Sequence, residues 1–203
     1  EKERKPFTDE MLKIGHHVSN LINDDTTFVM HVGRIFDAIA QHLKKKKGLG
    51  IFTNIFSDWV MDLIESGAVS VEKNRYKGGQ VTSSYCYGSK KLYDYISGNP
   101  LFEFYPIAIL ANPLNIRRVD KLVSIMNVKR IDVTGVSIIF HSGDNLLSGY
   151  ESKLNFSVGA AFARHGRSII VLNSVDQEGN SNIVLKHEHE ADKARETLGV
   201  TRY

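Results

Sequence analysis

Apolar residues recur along the chain with two alternating periods. Met11, Leu12, Ile14, Val18, Leu21 and Ile22 fall near the 3.6-residue spacing of one helix face, and Thr8 is placed to cap that helix. Asn23-Asp24-Asp25 breaks it. Residues 26–32 read as a short β run feeding Gly33, and Ile35, Phe36, Ile39, Ala40 and Leu43 form the next amphipathic helix. A strand restarts over 48–52, and Ser57 or Asp58 caps a helix carrying Val60, Met61, Leu63 and Ile64 that stops at Gly67. Lys77-Gly78-Gly79-Gln80 is a loop before a strand over 81–87. Ser89 caps a short helix through Leu92, Tyr93 and Ile96, which Gly98-Asn99-Pro100 ends.

The same alternation continues to the far end. A strand is predicted over 102–110, followed by an Asn112-Pro113 turn and a short helix. Residues 122–140 hold two β-rich stretches, with Asp132 to Gly135 between or within them, and 141–150 read as an extended loop. A helix over 156–164, a strand over 168–172, and a hairpin turn at Asp176-Gln177-Glu178-Gly179-Asn180 before Ile183-Val184 complete the pattern. Strands alternating with helices argue for an α/β fold, an open and mostly parallel sheet flanked by helices. No internal repeat and no Ser- or Pro-rich linker divides the chain, so residues 1–203 are read as one domain.

Composition narrows the class. With 42% hydrophobic and 24% charged residues, the 203-residue chain can bury one full core, and disordered or collagen-like classes are excluded. No apolar run approaches the roughly 18 residues a membrane span needs. A net charge of +3 is too small to imply a polyanionic partner, so neither nucleic acid nor membrane is expected. The single cysteine, Cys86, cannot form an internal disulfide, and Glu1-Lys2-Glu3-Arg4-Lys5 lacks the apolar region of a secretory signal. A cytoplasmic protein is the natural expectation. Its ends also suggest a piece of a longer chain.

Local chemistry offers little on its own. Lys44 to Lys47 end an amphipathic helix, where lysines complement the dipole and stay solvated. His187 and His189 are spaced to ligate a metal from a strand, but no third and fourth ligand can be named, and charged neighbours favour a solvated segment. No metal site and no cofactor is therefore expected. Walker, G-x-S-x-G and G-x-G-x-x-G motifs are absent.

An ordered series of longer strings carries more. Leu49-Gly50-Ile51-Phe52-Thr53-Asn54-Ile55-Phe56-Ser57-Asp58, Asp62-Leu63-Ile64-Glu65-Ser66-Gly67, Gly88-Ser89-Lys90-Lys91-Leu92-Tyr93-Asp94, Asp132-Val133-Thr134-Gly135 and Phe156 with Gly159-Ala160-Ala161 occur in that order. The chain thereby resembles the C-terminal domain of the acetyl-CoA hydrolase/transferase family, which includes 4-hydroxybutyrate and butyryl-CoA:acetate CoA-transferases. The corresponding family strings are L-G-I-H-T-E-x-F-S-D, D-L-I-E-S-G, G-S-x-x-L-Y-D, D-L-T-G and D-F-x-x-G-A. The resemblance covers the chain from about Ile14 onward. It implies the NagB/RpiA/CoA-transferase-like fold, a coenzyme A thioester as substrate or ligand, and an N-terminal domain missing here. A second copy in a homo-oligomer is a further expected partner.

The resemblance also places the chemistry. Family members use a glutamate that attacks the acyl-CoA thioester, giving an acyl-glutamyl anhydride that CoA opens to a glutamyl-CoA thioester. In the family string I-N-S-A-L-E-V-D-L-T-G that glutamate falls on Arg130, a guanidinium that stays protonated and cannot serve. The family's G-x-G-G-Q, which approaches CoA, reads Gly149-Tyr150-Glu151-Ser152-Lys153, the CoA-binding candidates. L-Q-I-G-I-G reads Phe28-Val29-Met30-His31-Val32-Gly33, and the H and E of L-G-I-H-T-E read Phe52 and Asn54. Asp132, Thr134 and Gly135 are expected to hold a structural turn. The function implied is that of a CoA-transferase or hydrolase domain acting on short-chain acyl-CoA without the family's nucleophile. The alternatives are a scaffold or subunit-interface domain keeping the fold alone, and chemistry relocated to Glu151 or His141.

Overall fold

A computed structural model describes residues 6–70, 81–138 and 150–186. In chain order the elements are α1 (Asp9–Leu21), β1 (Thr27–Val29), α2 (Arg34–Leu43), β2 (Gly50–Ile51), β3 (Ile55–Phe56), α3 (Trp59–Glu65), β4 (Val81–Ser83), β5 (Tyr85–Cys86) and α4 (Lys90–Ile96). Then come β6 (Phe102–Phe104), α5 (Ile107–Leu110), α6 (Pro113–Ile116), β7 (Leu122–Asn127), β8 (Arg130–Asp132), β9 (Ser137–Ile138), α7 (Tyr150–Phe162), β10 (Arg167–Val171) and β11 (Ile183–Val184).

The central sheet has the order β10-β7-β1-β2, with every neighbour parallel. A parallel bridge between Phe52 and Thr82 carries the pairing on to β4, which pairs with β6. Alternate residues of β1 face opposite sides, as a pleated strand requires. Phe28 joins the apolar cluster with Val18, Ile39, Leu43 and Trp59 of α1 to α3, while Val29 joins Ile116, Phe156 and Ala160 of α6 and α7. Helices therefore cover both faces, as the period alternation predicts. Among the described residues no helix is long and apolar enough to cross a membrane.

Local capping follows the sequence closely. Thr8 accepts from the Met11 N–H, Ser89 from Leu92 and Asn112 from Leu114. Asp58 takes the N-cap position of α3 without capping it; its carboxylate accepts instead from the Ser89 N–H and, at 2.7 Å, from the Ser89 hydroxyl.

Three expectations are corrected. The strand predicted over 102–110 stops at Phe104, and 107–110 form a single helical turn because Pro106 has no N–H to continue a ladder. The strand predicted over 81–87 divides at Ser84: both Ser84 and Tyr85 donate to the Asn54 carbonyl, and the chain changes partner from β6 to β3. The helix predicted over 156–164 begins at Tyr150, so Tyr150 to Lys153 are helical rather than a loop. Replacing loop glycines by residues with ordinary helix propensity permits that extension.

The β8–β9 connection closes as expected. Asp132 Oδ1 accepts from the Thr134 N–H at 2.9 Å, the Thr134 hydroxyl at 2.7 Å and the Val136 N–H at 3.0 Å. Gly135 sits at φ 86°, a conformation that side-chain-bearing residues rarely adopt. Gly135→Val is expected to destabilise the fold by roughly 1 kcal/mol or more. An unchanged melting temperature would contradict that role.

Candidate functional site

Because the strands of the central sheet run parallel, their C-terminal ends lie along one edge, where open α/β sheets place their ligands. The segment after β1 brings His31 to that edge, and the segment after β2 brings Asn54. His31 Nδ1 and Asn54 Oδ1 are 2.9 Å apart. An amide oxygen only accepts, so Nδ1 carries the proton and Nε2 is left as a bare acceptor. Nε2 is buried with no hydrogen-bond partner among the described residues. Two backbone anchors fix the strand ends: Trp59 Nε1 donates to the His31 carbonyl at 3.1 Å, and the Thr53 hydroxyl donates to the Met30 carbonyl at 2.7 Å. Phe36 and Phe156 meet the imidazole edge to face, at 5.9 and 6.5 Å between centroids.

Burial keeps His31 neutral, pushing its pKa down to about 3, with the nearby charge of Lys153 acting in the same direction and the Asn54 contact opposing it. Lys153, on the first turns of α7, is itself held down to about 8 by desolvation. Beside Asn54 opens a cleft of about 890 Å³. Asn54, Ser84 and Asn155 give it polar walls, Tyr85 and Tyr105 phenols, and Pro106, Ile107, Ala108 and Ala111 an apolar side. No carboxylate lines it among the described residues. The Ser84 hydroxyl oxygen is buried there without a hydrogen-bond partner among the described residues. The combination suits a ligand with a short apolar part and hydrogen-bonding groups.

The residues singled out by sequence are only partly brought together. Arg130 lies on β8, half-buried, and is not part of the cleft wall. Its charge acts on Asp176, whose carboxyl is held low first by the Asn180 backbone N–H and side chain. Asp132, Thr134 and Gly135 form the hairpin that follows. Gly149, His141, His187 and His189 lie outside the described residues, as do the side chains of Tyr150, Glu151 and Ser152. Lys153 alone of the CoA-binding candidates has a described side chain; it is not part of the cleft wall, though its charge reaches His31. Among the described residues no group of three or more His, Cys, Asp or Glu could hold a metal ion.

The pairing of His31 with Asn54 escaped sequence reasoning. Both positions depart from the family strings, but they are 23 residues apart and only the parallel β1–β2 register makes them neighbours.

Two titrations follow from this geometry. A folded pKa of about 3 for His31, below the ordinary 6.5, means the unfolded chain binds the extra proton between those values. Stability should be full above about pH 6.5 and fall towards pH 3, and denaturant midpoints of His31→Phe at pH 7 and pH 4 should show a shallower decline than the parent chain. For Lys153 the unfolded chain again holds the extra proton, now between pH 8 and 10.5, so stability rises through that window. Lys153→Met should raise the melting temperature at pH 7 and lose that advantage near pH 10.5. A constant difference at both pH values would refute the desolvated ammonium.

Residues 88–201 match the profile of the acetyl-CoA hydrolase/transferase C-terminal domain. The 4-hydroxybutyrate coenzyme A transferase of Clostridium kluyveri is 34% identical over 166 residues, which are 82% of this chain and 39% of that protein. The succinyl-CoA:acetate/propanoyl-CoA:succinate CoA transferase of Fasciola hepatica is 31% identical over 187 residues, 91% of this chain and 39% of that one. Among solved structures, the 4-hydroxybutyrate CoA-transferase of Porphyromonas gingivalis superposes with a TM-score of 0.79 at 33% identity, over 91% of this chain and 44% of the other. RipA from Yersinia pestis superposes at 0.82 with 26% identity, over 93% and 42%. The chain thus spans about two fifths of the length of these relatives.

Proposed function

We propose, given that the chain belongs to the acetyl-CoA hydrolase/transferase family through its C-terminal domain, that it forms part of a short-chain acyl-CoA site within a longer cytoplasmic protein and does not run a glutamyl exchange. One observation carries the second half of this reading. Arg130 ends the approach to the Asp132-Val133-Thr134-Gly135 hairpin, whose internal hydrogen bonds are intact. A nucleophile must present a lone pair and form an intermediate of energy comparable to the thioester. The guanidinium stays protonated near neutral pH, so it does neither.

The cleft supports the first half. It lies at the C-terminal edge of the sheet, and its apolar side is short enough for a small acyl chain while Asn54, Ser84 and Asn155 supply polar contacts. A second reading, a non-catalytic scaffold or subunit-interface domain, is supported by the aromatic filling behind that cleft, where Phe52 and Phe156 meet at 5.9 Å beside His31.

Two measurements test these readings, and the second separates them. No CoA exchange between acetyl-CoA and a carboxylate should exceed background, and borohydride should trap no glutamyl-CoA thioester. Trapping such a thioester would overturn the loss of the glutamyl route. Calorimetric titration with acetyl-CoA should give a dissociation constant tighter than roughly 100 μM, about 5.5 kcal/mol. No binding at all would favour the scaffold.

A further inference from the structure

Pro106, Ile107 and Ala108 enter the cleft from the start of α5 as an apolar ledge that stays exposed, Ile107 at 43%. Such a ledge gains by being covered. Asn112 and Asn155 add amides, which are polar but neutral, and every lining residue among the described ones is uncharged. The turns α5 and α6 that begin at this wall are four residues each, so few peptide dipoles align there to offset a negative charge. The medium already works against anions: desolvation pushes the phenol of Tyr85, a wall residue, above its ordinary range.

We infer that this cleft selects uncharged acyl groups over acyl groups that end in a second carboxylate, and that the ledge at Ile107 sets the preference. The inference rests on the acyl-CoA reading above and adds the class of acyl group. A butyryl chain laid along Pro106, Ile107 and Ala108 displaces only water from apolar surface. A succinyl chain of the same length brings a carboxylate to the same ledge, where it loses hydration and meets no charged partner among the described residues of the wall. Discrimination of this kind comes from the desolvated charge of the rejected ligand rather than from extra contacts to the accepted one.

Butyryl-CoA and succinyl-CoA carry the same nucleotide and pantetheine, so the difference between their affinities isolates the acyl end. Both would be titrated calorimetrically against the chain, and in parallel the S-butyryl and S-succinyl thioesters of N-acetylcysteamine would be followed through isoleucine methyl NMR shifts. Ile107→Arg and Ala108→Lys each put a cation on the ledge at an exposed position, where an unchanged melting profile is expected. Ile109→Arg is the control, because Ile109 is 44% exposed on the same turn and is not part of the cleft wall.

Butyryl-CoA is expected to bind at least about tenfold more tightly than succinyl-CoA. Ile107→Arg and Ala108→Lys should close or invert that gap, and Ile109→Arg should leave it in place. Equal affinities, tighter binding of succinyl-CoA, or a gap that neither ledge variant changes overturns the inference, and the acyl-CoA reading then survives alone. A gap that Ile109→Arg closes as far as Ile107→Arg does overturns it too, because bulk charge then accounts for the effect. If the CoA esters fail to bind while the small thioesters show the same preference, the selective cleft stands and acyl-CoA is removed as its ligand. No binding by any of the four ligands overturns both readings.

Discussion

Thr27, Phe28 and Val29 pair in parallel with β7 on one side and β2 on the other, so the central strand has no edge and no solvent face. Burying a strand this way leaves two apolar surfaces to cover, one by Phe28 and one by Val29. The helices α1 to α3 take the first and α6 with α7 the second. The same parallel pairing forces every crossover back to one edge and every C-terminal strand end to the other. The cleft, the His31–Asn54 contact and the approach of α7 are consequences of that one constraint.

At the C-terminal edge, the segments after β1 and β2 carry two buried polar side chains, His31 and Asn54. The His31 ring is accommodated because Phe36, Phe156 and Asn54 surround it. The two side chains are chemically linked: the amide of Asn54 supplies the oxygen that satisfies the His31 Nδ1–H, which would otherwise be an orphaned donor in the core. Such a pair constrains position 54, because removing Asn54 leaves the buried His31 Nδ1–H without its acceptor.

The β8–β9 hairpin shows how scaffold and chemistry separate. Asp132 satisfies three donors within four residues and needs nothing from position 130 to do so. Geometry that depends on the Asp-x-Thr-Gly string therefore persists with an arginine before it. Arg130 adds the last of the influences that hold the Asp176 carboxyl low, after the hydrogen bonds from Asn180 and Glu178 in the turn that precedes β11.

How much was legible depended on the range of the interaction. Helix caps at Thr8, Ser89 and Asn112, the hairpin at Asp132 to Gly135, and the alternation of helix and strand are set within a few residues, so the amino-acid order alone determined them. The order also placed a cation, Arg130, two residues before the turn at Asp132. Strand partners were not local information: the run over 81–87 serves two different neighbours, and the run after Phe104 winds into α5 because Pro106 cannot extend a ladder. Nor was the desolvation of Lys153, a residue whose string reads as an exposed loop until α7 starts at Tyr150. The tertiary structure alone decided that His31 meets Asn54 and feels the charge of Lys153, because burial and side-chain pairing depend on segments that the fold brings together from 23 and more than 100 residues apart.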